Sequence, residues 1–247
     1  MQPHTVVSQQ EWIAARKALL VREKELTRAR DEIARLRREL PWEKVEKPYV
    51  FDTPDGRQNL AQLFGSKSQL VVNHFMLGPG WKEGCIGCSF GADHVEAMLP
   101  HLGARDVAYV AVSRAPLAEI EAYRRRMGWH FTWVSSFGSD FNFDFNVSFH
   151  PEDLEPGRKV MYNYAMTEAG IEELPGYSVF AKDDNGQVYH TYSSFGRGAE
   201  ALLGTYVLLD MLPKGREENG PHHNLMDWVK RHDEYATSAE ASSCCHG

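Results

Sequence analysis

The sequence has little cysteine, no long apolar run and no excess of positive charge. Each shortage closes off a class of function. Four cysteines in 247 residues are too few for a disulfide scaffold in a chain this long. No apolar stretch reaches the ~18–20 residues that span a bilayer. The opening MQPHTVVSQQEW lacks the basic start and apolar core of a signal peptide, so the sequence reads as a soluble, cytoplasmic protein with no membrane partner. A net charge of −7 and a pI near 5.9 argue against nucleic acid as a partner. What remains is a globular chain, 43% hydrophobic and 25% charged, able to fill a sizeable core.

The charge is segregated. Residues 11–40 hold nine Lys/Arg and six Asp/Glu, so this segment is +3 and the rest of the chain −10. The segment reads as one long helix. Ser8 and Glu11 form a capping box at its start, and Pro41 supplies a stop. Leu19, Leu26, Ile33 and Leu40 recur every seventh residue, and Arg28–Glu32, Asp31–Arg35 and Arg35–Glu39 are opposite charges one turn apart. Such a seam suits packing against one other surface, either the chain's own body or a second copy in a homo-oligomer. Residues 1–47 are expected to form this arm, 48–235 a folded domain, and 236–247 a disordered tail.

The domain alternates short strands and helices. Tyr49–Phe51 enters a turn at Thr53-Pro54-Asp55-Gly56, and Asn59–Phe64 makes a helical turn. LVVNHFML (70–77) and VAYVAV (107–112) are apolar runs of strand length, suited to a sheet buried on both faces. Cys88–Leu99 has helical spacing closed by Pro100, and PLAEIEAYRRRM (116–127) is an amphipathic helix. Phe131–Val134 is a further strand. Asp140–Phe149 alternates strictly and reads as a half-buried strand. Tyr177–Lys182 and Gln187–Tyr192 flank Asp183-Asp184-Asn185-Gly186, a hairpin. A last helix is expected over Arg197–Met211. The order predicts an α/β fold, a mixed sheet flanked by helices.

Cys85-Ile86-Gly87-Cys88 lies between a buried strand and a helix start. In a chain of βαβ order that placement suits thiol redox chemistry, because unpaired N–H groups at a helix N-terminus stabilise a thiolate. Cys85 would be the nucleophile and Cys88 the resolving thiol. Asp93, His94 and His74 are nearby proton acceptors that the sequence does not rank. A zinc half-site or inert thiols are the competing readings; zinc needs two more ligands, and no second pair follows at suitable spacing. Pro175, at the entry to the hairpin, is a candidate groove residue, with Trp81, Tyr192 and Arg197 as further ones. Asp140-Phe141-Asn142-Phe143-Asp144 imitates a calcium loop but has Phe145 where glycine is needed, so no metal is assigned. The adjacent Cys244 and Cys245, before His246, are poor staples.

GCIGCSFGADH (84–94), SSFGSDFNFDF (135–145), SVFAKDDNGQVYHTYSSFGRG (178–198) and LLDMLPKGREE (208–218) resemble a bacterial thioredoxin-like family, the domain of unknown function numbered eight-nine-nine. The resemblance runs from about residue 6 to 235 and implies a thioredoxin-like fold with an N-terminal helical extension. A looser likeness links residues 48–77 to peroxiredoxins. The peroxidatic Pro-x-x-x-Thr/Ser-x-x-Cys is not kept, since Pro79 stands one place too close to Cys85 and Lys82 replaces the hydroxyl. The expected function is a thiol–disulfide oxidoreductase needing no cofactor, acting on a protein disulfide or a small-molecule thiol or disulfide. The alternatives are a binding or assembly module with structural or metal-binding cysteines, and a peroxide reductase.

Overall fold

The computed structural model describes residues 4–235. Within them the chain forms two compact units, one up to Trp42 and one from Glu43 onward. The first is helix α1 (Gln9–Arg38), 30 residues long. Its capping box is present: the Glu11 N–H donates to Ser8 Oγ at 3.3 Å, and the Ser8 N–H to Glu11 Oε2 at 2.9 Å. Arg35, Arg37 and Arg38 fill the last turn, where cations complement the helix dipole. Arg35 pairs with Glu32 and Glu39, taking Glu32 in place of the expected Asp31.

The second unit is built on an eight-stranded mixed sheet. Along the chain come β1 (Glu43–Lys44), the hairpin β2 (Val50–Thr53) and β3 (Gly56–Asn59), and the central strand β4 (Gln69–His74). Helices α2 (Ile86–Ala92) and α3 (Leu99–Ala104) lead to β5 (Val107–Ser113), and α4 (Leu117–Arg126) leads to β6 (Thr132–Ser135). The turn α5 (Phe141–Asp144) and a separate hairpin of β7 (Val160–Tyr162) and β8 (Ala165–Thr167) precede β9 (Gly176–Lys182), β10 (Val188–Phe195) and α6 (Gly204–Leu209). The sheet order is β1-β10-β9-β4-β5-β6-β2-β3. Strands β4, β5 and β6 run parallel, while β9 lies antiparallel to β4 and β10 antiparallel to β9. A βαβ unit beside a ββ hairpin, with the first helix leaving the C-terminal end of the central strand, is the thioredoxin-like arrangement.

Because side chains alternate along a strand, the sheet carries a core on each face. Leu70, Val72, Val110, Val112 and Phe180 join Phe51 and Phe141 on one face. Tyr109, Ala111 and Trp133 join Phe75, Ile120, Tyr123 and Trp129 on the other, where Cys88 also packs. Burying each large side chain contributes about 1.5–3 kcal/mol, which is why residues 70–77 and 107–112 read as continuous apolar runs.

Three expected elements differ. Residues 140–149 do not form a strand. One helical turn brings Phe141 and Phe145 together, ring centroids 4.7 Å apart, beside Tyr49 and Phe51, while Phe143 stacks on His150 at 4.2 Å. The alternating phenylalanines hid an i,i+4 pair. The helix expected over 88–99 ends at Ala92, and Pro100 opens α3, where its missing N–H costs nothing. The helix expected over 197–211 divides into a 3₁₀ segment, Gly196–Leu202, and α6, with Leu203 at φ −89°, ψ 85° between them. The Asp183–Gly186 turn forms as read, Gly186 taking φ +82° and Asp183 Oδ1 accepting the Asn185 and Gln187 N–H groups. Residues 236–247, including Cys244 and Cys245, lie outside the described residues.

Ser113 ties the second core to the start of the site loop. Its buried hydroxyl donates to the Phe75 carbonyl at 2.7 Å and accepts from Trp133 Nε1 at 2.9 Å. Ser113→Ala leaves both groups buried and unpaired, and should lower unfolding free energy by about 1–3 kcal/mol. A urea midpoint unchanged from the parent protein would contradict this.

Candidate active site

The C-terminal end of β4 runs into a loop that returns to the sheet through one backbone bond, the Cys85 N–H donating to the Met76 carbonyl at 3.1 Å. Cys85 is the N-cap of α2, and no side chain caps the helix there. Cys88 sits one turn further in, and both thiols are free of disulfide bonding. The loop has no room beside Gly84: a Cβ would lie 2.6 Å from Phe75 Cε1 and 2.7 Å from Tyr123 Cε1. Gly87 opens the first turn toward Leu225, whose methyl carbons would meet a Cβ at 3.4 Å, with Cys85 Sγ at 3.9 Å.

The two thiols differ sharply. Cys85 is pulled down to about 6. The largest cause is the hydrogen bond donated by the Cys88 thiol. It outweighs burial, and the Cys88 and Gly87 N–H groups and the Arg231 charge act in the same direction. Cys88 is pushed well up by that same hydrogen bond, by burial and by the Cys85 charge. One thiolate and one thiol therefore share a proton, with the thiolate on the helix cap.

Arg231 also positions this cap, and no motif marked it. Its side chain is only 10% exposed. Nη2 donates to the Gly84 carbonyl at 2.8 Å, Nε to the Tyr123 hydroxyl at 2.9 Å, and Nη1 to Glu234 at 2.8 Å, with Glu83 at 3.2 Å. The Ser89 hydroxyl gives its proton to the Cys85 carbonyl at 2.9 Å, so Tyr123 donates to Ser89 across 2.8 Å. Arg231, Tyr123 and Ser89 thus form a directed chain ending on the Cys85 carbonyl. The only local hint in the sequence was an arginine three residues before a glutamate, far from the C-x-x-C.

The other sequence candidates divide. Asp93 accepts from Trp129 Nε1 at 2.8 Å and from His232 Nδ1 at 2.7 Å. His94 accepts the Thr205 N–H at 3.2 Å and donates Nδ1–H to the Phe90 carbonyl at 2.7 Å. Both bracket α2 in place. His74 is buried on the opposite face of the sheet, among the first core's aromatics. Pro175 precedes β9, and its carbonyl accepts from the Tyr162 hydroxyl at 2.8 Å; its peptide bond is trans. Burial is the main cause that pushes Tyr162, on the β7 strand that the sequence reading missed, up to about 12. Trp81 is held by Glu172 at 2.7 Å. Tyr192 lies on β10 opposite Val179. Arg197 is a surface cation, its side chain 86% exposed and paired with Glu200, and is not brought to the thiols. Asp140 and Asp144 hold Lys47 at 2.8 and 2.7 Å.

Thiolate absorbance on titration of the reduced protein should reveal one cysteine with a midpoint near 6. Arg231→Met should move it toward the ordinary cysteine value of about 8.5, and Arg231→Lys should restore part of the shift. A midpoint insensitive to both substitutions would remove Arg231 from the electrostatics of the site.

Among solved structures, the chain is similar to a peroxiredoxin Q variant from Xanthomonas campestris, at 14% identity and a TM-score of 0.45, covering 68% of this chain and 98% of that one. Peroxidoxin BcpB from Mycobacterium tuberculosis matches at 13% identity and a TM-score of 0.44, covering 67% and 95%. The mitochondrial 2-Cys peroxiredoxin of Plasmodium falciparum matches at 13% and 0.40, covering 68% and 95%. No curated protein matches. The model of the bacterial proteins of unknown function termed DUF899 matches residues 1–235. The chain belongs to that family.

Proposed function

We propose that the protein is a thiol–disulfide oxidoreductase in which Cys85 attacks and Cys88 resolves. The observation that carries this reading is the placement of two free thiols one turn apart at the start of α2, with Cys85 on an N-cap that no side chain occupies. The opposed shifts of the pair, Cys85 down and Cys88 up, accord with it. The Cys85 thiolate attacks one sulfur of a substrate disulfide, forming a mixed disulfide and expelling the other sulfur as a thiolate. That step removes both the charge and the acceptor that had held the Cys88 proton. Cys88 then loses its proton to the departed thiolate and attacks Cys85 Sγ, releasing the second substrate thiol. The substrate gains two electrons and the protein closes a Cys85–Cys88 disulfide, which an external dithiol must reopen.

A dedicated base is not required, which fits Asp93 and His94 being committed to other partners. Stabilising the thiolate also stabilises the reduced form, which raises the potential and makes the closed disulfide a better oxidant. The partner class is a protein disulfide or a small-molecule disulfide, and the proposed setting is the cytoplasm. Peroxide reduction is the less favoured reading, because Lys82 stands where a peroxide-orienting hydroxyl is needed.

Reduced protein is expected to cleave the interchain disulfides of insulin with turnover in the presence of a dithiol. Cys85→Ser should bring this to background, and Cys88→Ser should accumulate a mixed disulfide on Cys85. Turnover that survives Cys85→Ser overturns the proposal.

A further inference from the structure

On the sheet face opposite the thiols, β10 carries a second arrangement of reactive side chains. His190 and Ser193 are three residues apart, and in a regular strand they would face opposite sides. The β9–β10 register shifts between His190 and Tyr192, and this bulge turns both side chains to one face. There the Ser193 hydroxyl lies 2.7 Å from His190 Nε2, and His190 Nδ1 lies 3.4 Å from Glu43 Oε2 on β1. All three line a cavity of about 440 Å³, whose wall also includes Tyr49, Phe145 and Phe195.

The proton positions along this chain follow from its two ends. Ser193 Oγ lies 2.8 Å from Ser178 Oγ, which lies 2.8 Å from Nε2 of the buried His74. His74 Nδ1 has no partner among the described residues, and burial, with the nearby His190, lowers this imidazole to about 3 and so keeps it neutral. An orphaned acceptor is less costly than an orphaned N–H donor, so the His74 proton sits on Nε2 and is donated to Ser178. Ser178 must then donate to Ser193, and Ser193 to His190 Nε2. At the other end, the Glu43 carboxylate can only accept, which places the His190 proton on Nδ1 and leaves Nε2 as an acceptor. Both ends require the same direction. The Ser193 hydroxyl proton points at a histidine base that is itself oriented by a carboxylate.

The surroundings hold the histidine in place, whereas the Glu43 side chain is 80% exposed. The His190 ring is wedged between Phe145 and Phe180, with centroids at 5.3 and 5.5 Å. Asn146, Asn163 and Tyr164 line the same cavity with φ of 55°, 49° and 61°, a left-handed conformation that costs on the order of 1–3 kcal/mol per non-glycine residue and collects at functional sites. Of the cavity's two lysines, Lys47 is held by Asp140 and Asp144, and Lys44 pairs with Glu46 at 3.6 Å on the exposed rim. With its cations paired and its wall partly aromatic, the cavity suits an uncharged ligand with an apolar or aromatic portion.

We infer that this cavity is a second, thiol-independent site in which Ser193 is a nucleophile activated by His190 and Glu43, acting on small uncharged carboxylic esters. In the reaction Ser193 Oγ bonds to the ester carbonyl carbon as its proton passes to His190 Nε2. The bond to the leaving alcohol then breaks, and His190 returns the proton to that oxygen. Water attacks the acyl-serine with His190 taking its proton, the acid departs, and Ser193 recovers the proton. No electrons are transferred, and water is the only co-reactant.

The test uses the full chain with a fluorophosphonate probe, located by peptide mass, and with p-nitrophenyl acetate. The probe should add once, at Ser193, in the parent protein and in Cys85→Ser alike. Ser193→Ala should lose the adduct, His190→Gln should slow labelling by at least about 100-fold, and Glu43→Gln should slow it less. Ester hydrolysis in the Cys85→Ser background, which removes acylation of the thiolate, should fall in the same order, while insulin reduction by Ser193→Ala stays at the parent rate. Absence of a Ser193 adduct in the parent protein, or labelling of His190→Gln at the parent rate with a native circular dichroism spectrum, overturns the proposal. If Ser193→Ala does not fold, the His190→Gln and Glu43→Gln rates decide it. Neither outcome bears on the Cys85 chemistry.

Discussion

The hydrogen bond from the Cys88 thiol to Cys85, made at the open start of a short helix, is the interaction on which the rest of this site depends. It is the largest of the causes that lower Cys85 and the first of those that raise Cys88. Burial alone would push both thiols up and leave them inert. What allows the hydrogen bond to prevail is placement. Strand β4 ends in mid-sheet, the Met76 carbonyl holds the Cys85 N–H, and Gly84 lets the chain pass between Phe75 and Tyr123. The Cys85 side chain then meets the first N–H groups of α2 with no competing cap.

The C-terminal segment completes what the βαβ unit begins. Leu225 approaches the first turn of α2, Arg231 fastens Gly84 and Tyr123, and His232 shares Asp93 with Trp129. Arg231 brings a full charge into a setting where its side chain is nearly covered. Two neutral acceptors, the Gly84 carbonyl and the Tyr123 hydroxyl, and two carboxylates, Glu83 and Glu234, compensate its desolvation. Charge, hydrogen bonding and helix start all act on the same sulfur.

Much of this was legible in the sequence. The C-x-x-C between a buried strand and a helix, the second apolar strand and the Asp-Asp-Asn-Gly hairpin are local signals that formed where they were read. The first apolar strand stops at His74 and leaves residues 75–77 to the loop. The elements that were missed are those fixed by distant partners. Phe141, Phe143 and Phe145 alternate like a strand, yet Tyr49 and Phe51 draw the first and third to one side of a helical turn. The two-residue β1 exists because Glu43 and Lys44 meet Tyr189 and His190, and β7 and β8 pair only with each other. Arg231 carries no pattern because its role is set by Gly84, 147 positions earlier. The Ser193–His190 contact was hidden for a related reason, since a bulge reverses the face that the spacing implies.

The two faces of the sheet are therefore chemically separate, with thiols on one and a directed Ser–His–Glu chain on the other, and only the first bears on the redox reading. The most direct measurement of that reading is the equilibrium potential of the Cys85–Cys88 pair against a glutathione buffer, with the closed form identified by mass. A reversible two-electron couple at roughly −270 to −200 mV, the range from thioredoxin to glutaredoxins, is the predicted result. Failure to form the intramolecular disulfide, or a potential below about −300 mV as in structural disulfides, would contradict it.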